Sequence, residues 1–168
     1  MKIMIAGYSG SGKSTLARKL GKYYNCDVLH FDRVQFLPGW EIRDGEEKLR
    51  MTKEFMDTHD SWVIDGNYSK LEYERRAEEA DKIILMLFNR FNCLWRVTKR
   101  YFKYRNQTRP DMGEGCDEKL DWEFVWWVLR DGRTKSARKR YRGLMEKYTD
   151  KVVVIRNQKE LNKWKMLP

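Results

Sequence analysis

At 168 residues the chain has the length of one domain, spanning residues 1–168, and can bury a core without disulfides or structural metal. Its 35 basic and 25 acidic residues give a formal charge of +10, which favours anionic partners: nucleotides and other phosphorylated small molecules, nucleic acid or anionic lipid. Cys26, Cys93 and Cys116 form no C-x-x-C pair, which argues against a zinc site or disulfide framework; no apolar run is long enough for a membrane span or an export signal, so a cytoplasmic location is expected.

Residues 2–6 (KIMIA) read as a buried strand, broken by the glycines of residues 7–12. A helix is predicted over residues 13–24, where Leu16, Ala17, Leu20 and Tyr23 recur at helical spacing. Residues 27–30 (DVLH) form a second short strand that ends at Phe31 and Asp32. The chain then runs irregularly to Trp40, with a turn at Pro38-Gly39. Residues 44–60 are helical in pattern, and Asp44 with Glu47 three residues on makes an N-terminal cap.

Residues 61–65 (SWVID) make a third strand, turned by Gly66-Asn67. A charged helix over residues 69–80 leads to a fourth strand at residues 82–88 (KIILMLF), whose continuous apolar run suits a sheet covered on both faces. Residues 90–104 read as an amphipathic helix. Phe91, Leu94, Trp95, Thr98 and Phe102 form one stripe with core spacing, and Arg96, Lys99, Arg100 and Lys103 form the adjacent one.

Residues 106–116 contain Pro110, Gly113 and Gly115 and read as a loop. Helical material resumes over residues 117–148 with a break near Asp131-Gly132, and the spacing of Trp122, Trp126 and Trp127 predicts core positions. A fifth strand at residues 151–155 (KVVVI) and a short helix around residues 159–164 close the chain. Strands alternating with helices predict a three-layer α/β fold with a parallel sheet.

Gly7-Tyr8-Ser9-Gly10-Ser11-Gly12-Lys13-Ser14 satisfies G-x-x-x-x-G-K-[ST] between the first strand and the first helix. Such a loop curls so that backbone N–H groups of Ser9, Gly10, Ser11, Gly12 and the residues up to Thr15 can surround a phosphate, as glycine permits. Lys13 would reach the β- and γ-phosphates, and the Ser14 hydroxyl would take a magnesium position. ATP with Mg2+ is therefore the expected cofactor pair.

Two aspartates end strands that would face this loop, since the C-terminal ends of parallel strands line the ligand crevice. Asp65 is expected to hold magnesium through water, and Asp32 to act on an acceptor substrate as general base or hydroxyl-orienting group. Seven basic residues and no acidic one lie between Asn89 and Pro110. Arg105 and Arg109 are placed to close over the phosphates from a mobile lid, with Arg138, Arg140 and Arg142 as a second clamp. The same run interleaves Trp95, Tyr101, Phe102 and Tyr104, which leaves a nucleic-acid surface open beside a plain solvated face. His30 and His59 are isolated, with packing or surface roles expected for both.

With these residues in view, the chain resembles the nucleoside-monophosphate-kinase-like group of P-loop kinases, which includes adenylate, shikimate and gluconate kinases. GYSGSGKST, VLHFD, WVIDGNY and a lid with an R-x-x-x-R-P pattern fall in that group's order. Through LHFDRVQFLPGW, WVIDGNYSK and NQTRPDMGEGC, nearly the whole chain more closely resembles the bacterial DNA topology modulation proteins.

The resemblance implies a five-stranded parallel sheet in the order 2-3-1-4-5, an arginine-bearing lid at about residues 105–117, and an acceptor site between Asp32 and Asp65. It also implies an adenine pocket that includes Asn157, within residues 156–159. Where adenylate kinases carry Asp-Gly-Phe-Pro-Arg, this chain has Asp65-Gly66-Asn67-Tyr68-Ser69, which argues against AMP as acceptor. The expected activity is transfer of the ATP γ-phosphoryl group to a small-molecule hydroxyl or phosphate. The alternatives are an ATP-binding regulator associated with DNA topology and a nucleic-acid 5′-hydroxyl kinase.

Overall fold

The computed structural model describes residues 1–105, 107–109, 111–113 and 115–164. Five parallel strands, β1 (Lys2–Gly7), β2 (Asp27–His30), β3 (Trp62–Asp65), β4 (Lys82–Met86) and β5 (Val152–Ile155), lie in the order β2-β3-β1-β4-β5. Among the described residues eight α-helices connect and cover them: α1 (Lys13–Tyr24), α2 (Phe31–Gln35), α3 (Gly45–Thr58), α4 (Tyr73–Glu79), α5 (Arg90–Tyr104), α6 (Trp122–Leu129), α7 (Lys135–Lys147) and α8 (Gln158–Lys163). Among the described residues no helix is long and apolar enough to cross a membrane.

The period-two alternation of β1 divides the core. Met4 and Ala6 face one layer with Phe31, Trp62, Ile64 and Leu85, closed by Met56 of α3, Ala77 of α4 and Tyr141 and Leu144 of α7. Ile3 and Ile5 face the other with Val63, Ile84 and Met86, closed by Leu16 and Leu20 of α1, Cys93 and Val97 of α5 and Val128 of α6. Both faces of the sheet are thus covered, as the unbroken apolar run of β4 requires.

Helix ends follow the polar residues. Asp44 accepts from the N–H groups of Glu46 and Glu47 and starts α3, and Asp121 and Thr134 cap α6 and α7 in the same way. The helix expected over residues 69–80 is confined to Tyr73–Glu79, and residues 117–121 precede α6 without joining it. The segment after β2, read as irregular, begins with the short helix α2.

The aromatic stripe of α5 does not face the core. Phe91, Trp95 and Phe102 are 69, 64 and 69 % exposed, and the buried positions are Cys93 and Val97. The reason is steric. A Cβ on Gly10 would lie 2.7 Å from both the Cys93 carbonyl oxygen and Val97 Cγ2, so α5 presses its backbone against the glycine loop. A seam that close admits small side chains and turns the large rings outward. Trp122, Trp126 and Trp127 are likewise exposed, contrary to the core positions expected from their spacing.

Candidate functional site

The parallel register sets the site. His30 pairs with Asp65 across β2 and β3, Asp65 with Ile5 across β3 and β1, and Gly7 with Met86 across β1 and β4. The C-terminal ends of four strands therefore open on one side, and residues 8–12 turn there from β1 into α1.

The turn has a backbone that side chains resist. Gly7 has φ +141°, and a Cβ there would lie 2.3 Å from the Met86 carbonyl oxygen. Two arginines support it from outside. Arg96 donates to the Ser11 carbonyl at 3.1 Å and lies over the Phe88 ring, and Arg133 donates to the Phe88 carbonyl and lies 3.8 Å from the centroid of Tyr8. Arg96, read from the sequence as part of a charged face, thus braces the loop.

Inside the loop, Lys13 Nζ donates to the Tyr8 carbonyl at 3.1 Å. Burial holds its ammonium below the usual lysine range, although the charges of Asp65 and Asp32 oppose that shift. Ser11 Oγ is buried without a hydrogen-bond partner among the described residues. A desolvated ammonium inside a glycine turn at the start of α1 fits a phosphate chain, which would pair it.

Asp65 is buried, and its Oδ1 lies 2.5 Å from His30 Nδ1, itself buried. His30 is therefore no isolated packing residue but the partner of the expected magnesium ligand. The next three residues bind the site together. Gly66 N–H donates to the Ile5 carbonyl at 3.1 Å. Asn67 Oδ1 accepts from the Gly7 N–H at 2.9 Å while its Nδ2 donates to the Gly7 carbonyl. Tyr68 O–H donates to Asp32 Oδ1 at 2.9 Å, and burial, then the Asp32 charge, push that phenol far above the ordinary range.

Beneath them Arg76 is fully buried. It donates to the Tyr68 carbonyl at 2.7 Å and to the Gly66 carbonyl, lies 4.4 Å from the Phe31 ring centroid, and pairs with no carboxylate among the described residues. Burial pushes its pKa down to about 9. Asn67, Tyr68 and Arg76 were not among the site residues expected from the sequence. For Asn67 and Tyr68 the signal was the G-N-Y turn within the WVIDGNY motif, to which no contact could be assigned from spacing, and nothing local marked Arg76.

A second cluster faces the P-loop from the segment after α5. Arg109, 8 % exposed, pairs with Asp111 at 2.8 Å and Glu118 at 2.5 Å. Arg18 of α1 reaches Asp111 at 2.9 Å, and Arg100 of α5 reaches Glu118 at 2.7 Å. Asn106, Pro110 and Glu114 of the expected lid lie outside the described residues. The arrangement differs from a freely held arginine: Arg109 is fixed between two buried carboxylates.

One cleft of about 1370 Å³ joins these parts. Its lining includes Ser9, Gly10, Gly12, Lys13, Ser14 and Thr15 of the loop and α1, the carboxylates Asp32 and Asp65 with Tyr68, and Arg18, Arg109 and Arg140. Arg105 is exposed at the end of α5, and it does not line the cleft. Neither does Asn157, which caps α8 through Glu160. Gly7 and Ser11 stand behind the lining, in the body of the loop.

A glycine loop between β1 and α1, under a parallel sheet in the order 2-3-1-4-5, defines the P-loop NTPase fold in its kinase-like form. Among solved structures, the chain is similar to shikimate kinase from Bacteroides thetaiotaomicron at 15 % identity and a TM-score of 0.50, covering 96 % of this chain and 92 % of that one. It is also similar to a Thermus thermophilus protein at 16 % identity and a TM-score of 0.52, covering 95 % and 91 %. No protein-family model matches the chain, and no curated protein matches it in sequence.

Proposed function

We propose that the chain is a phosphotransferase that binds ATP with magnesium at the glycine loop and passes the γ-phosphoryl group to an acceptor beside Asp32. The observation that carries this reading is that Lys13, Ser14, Asp32, Asp65 and Arg109 all line one cleft. A binding switch needs the phosphate and magnesium groups but no group in the position of Asp32.

Lys13 and the N–H groups of residues 9–15 would hold the phosphates. Ser14 and Asp65 would hold magnesium, whose role is to neutralise charge on the phosphates. Among the described residues no three His, Cys, Asp or Glu side chains form a metal cluster. Phosphate oxygens and water would therefore complete the coordination, as is usual for this ion. His30 would orient Asp65. Tyr68 occupies one oxygen of Asp32 and leaves the other to align an acceptor hydroxyl or take its proton. Arg109 and Arg140 would meet the charge that spreads over the γ-phosphoryl oxygens.

The motif resemblance to adenylate-kinase-related DNA topology modulation proteins agrees with this reading and does not specify an acceptor. An ATP-consumption screen across nucleotides, sugars and phosphorylated metabolites tests it, comparing wild type with Asp32→Asn. Acceptor-stimulated ADP formation that falls at least tenfold in Asp32→Asn is expected. ATP turnover that no acceptor stimulates, or that Lys13→Ala leaves intact, would overturn the proposal.

A further inference from the structure

Most of the large apolar side chains that stand in solvent belong to α5 and α6. Phe91, Trp95 and Phe102 run along one face of α5, and Trp122 and Trp126 lie one turn apart on α6, the former 82 % exposed. Exposed aromatic surface on this scale marks a place where something binds.

Cations stand among the rings. Lys99 Nζ lies 5.1 Å from the Trp95 ring centroid, Lys103 Nζ 5.2 Å from that of Tyr104, and the Arg130 guanidinium 5.7 Å from that of Trp126. Among the described residues these three cations have no ion-pair partner, whereas Arg100 and Arg109 of the same basic stretch are fixed on Glu118 and Asp111. These helices thus present aromatic rings with unpaired cations among them; the acidic residues nearby, Asp121 and Glu123 of α6 and Asp131 beside Arg130, form no ion pair with the three.

Its shape chooses among anionic partners. Trp95, Lys99, Lys103 and Tyr104 also line the cleft, and Trp127 enters it from α6. The face therefore bends from an open helix surface into a concave wall. A lipid surface, being broad, would meet only the outer part. A narrow polyanion carrying planar rings can follow both parts, with its rings on the aromatics and its phosphates on the cations.

We propose that the α5–α6 face binds single-stranded nucleic acid, with bases stacked on Trp95, Phe102 and Trp126 and phosphates held by Lys99, Lys103 and Arg130. The claim concerns binding and stands apart from phosphoryl transfer, so either can fail alone.

Fluorescence anisotropy of a labelled oligothymidylate, titrated with the full chain at several potassium chloride concentrations, tests it. Binding should weaken steeply with salt, and Lys99→Gln and Lys103→Gln should each reduce the log–log slope by about 0.7. Phe102→Ala and Trp126→Ala, at exposed positions where folding is not at stake, should each weaken binding by about tenfold. Duplex DNA, whose bases cannot open onto the rings, should compete less well than the single strand. Absence of binding, affinity indifferent to salt, or aromatic variants that bind as wild type does would overturn the proposal. So would phosphatidylglycerol vesicles that co-sediment with the chain when the oligonucleotide does not bind. A dimer in sedimentation that is lost in Phe102→Ala, again without oligonucleotide binding, would assign the face to self-association instead.

Discussion

Asn67 holds both backbone polar groups of Gly7, accepting from its N–H at 2.9 Å and donating to its carbonyl. A single side chain from the end of β3 thereby takes the place of a further strand pairing at the residue where β1 becomes the glycine loop. Tyr68, the next residue, reaches Asp32, and Arg76 holds the carbonyl of Tyr68 from below. The glycine loop and Asp32 are thereby joined through two consecutive residues, Asn67 and Tyr68.

Asn67→Ala should therefore affect both stability and binding. Two hydrogen bonds disappear and two partly buried backbone groups lose a partner, which costs about 1–3 kcal/mol by the penalty for unsatisfied polar groups. Thermal unfolding should show a lowered Tm, and the affinity for a non-hydrolysable ATP analogue should fall by titration calorimetry. An Asn67→Ala chain with wild-type Tm and affinity would separate this residue from the site.

Gly10→Ala probes the seam between the loop and α5. The new methyl meets the Cys93 carbonyl and Val97 at 2.7 Å, in a backbone with φ +76°. The left-handed conformation alone costs about 1–2 kcal/mol, and α5 must shift as well. Denaturant unfolding should register at least that loss, together with weakened nucleotide binding. A neutral substitution would mean that α5 does not pack this closely.

Lys13→Ala tests the phosphate site by ligand-induced stabilisation. A ligand at one hundred times its Kd raises the unfolding free energy by about 2.7 kcal/mol. Wild type should gain Tm on addition of ATP with magnesium, and Lys13→Ala should gain little. Burial lowers the Lys13 pKa, so in the absence of phosphate its charge is already poorly solvated. The variant should accordingly be no less stable than wild type without ligand, a result opposite to that expected for Asn67→Ala.

The buried Asp111 predicts a particular acid response. Burial opposes its ionisation, but Arg109 and then Arg18 outweigh burial and leave its pKa below the ordinary value of 3.8. A carboxylate with a depressed folded pKa contributes stability above the unfolded pKa, and that stability is lost as pH falls through the folded pKa. Urea unfolding at a series of pH values should show wild type losing stability below about pH 4, with a shallower slope in Asp111→Asn. At neutral pH the same variant leaves Arg109 and Arg18 short of a partner and should be less stable by about 3 kcal/mol. Parallel acid profiles for the two proteins would remove Asp111 from the acid-sensitive groups.

The elements set by local pattern were legible in the sequence. The five strands, the helices α1, α3 and α5, the break at Asp131-Gly132 and the Asp44 cap each depend on periodicity or on one turn of chain. The parallel α/β sheet followed from their alternation, and its strand order from family resemblance. The fate of the aromatic residues did not follow, because the hydrophobic period of α5 fits a buried stripe and an exposed one equally well. The close approach of Gly10 decided between them, and that contact joins residues far apart in the chain. Spacing likewise marked Asp32 and Asp65 but was silent on His30, which meets Asp65 only through the register of β2 against β3.

By itself, then, the sequence determined the glycine loop and the strand ends that face it. A phosphate cradle needs particular residue types at adjacent positions, and adjacency is what a sequence records. The tertiary structure decided the rest. It tied Asn67 to Gly7, fixed Arg109 between Asp111 and Glu118, and turned the α5 rings outward. These relationships depend on strand register and on the distance between packed backbones, which no local pattern encodes.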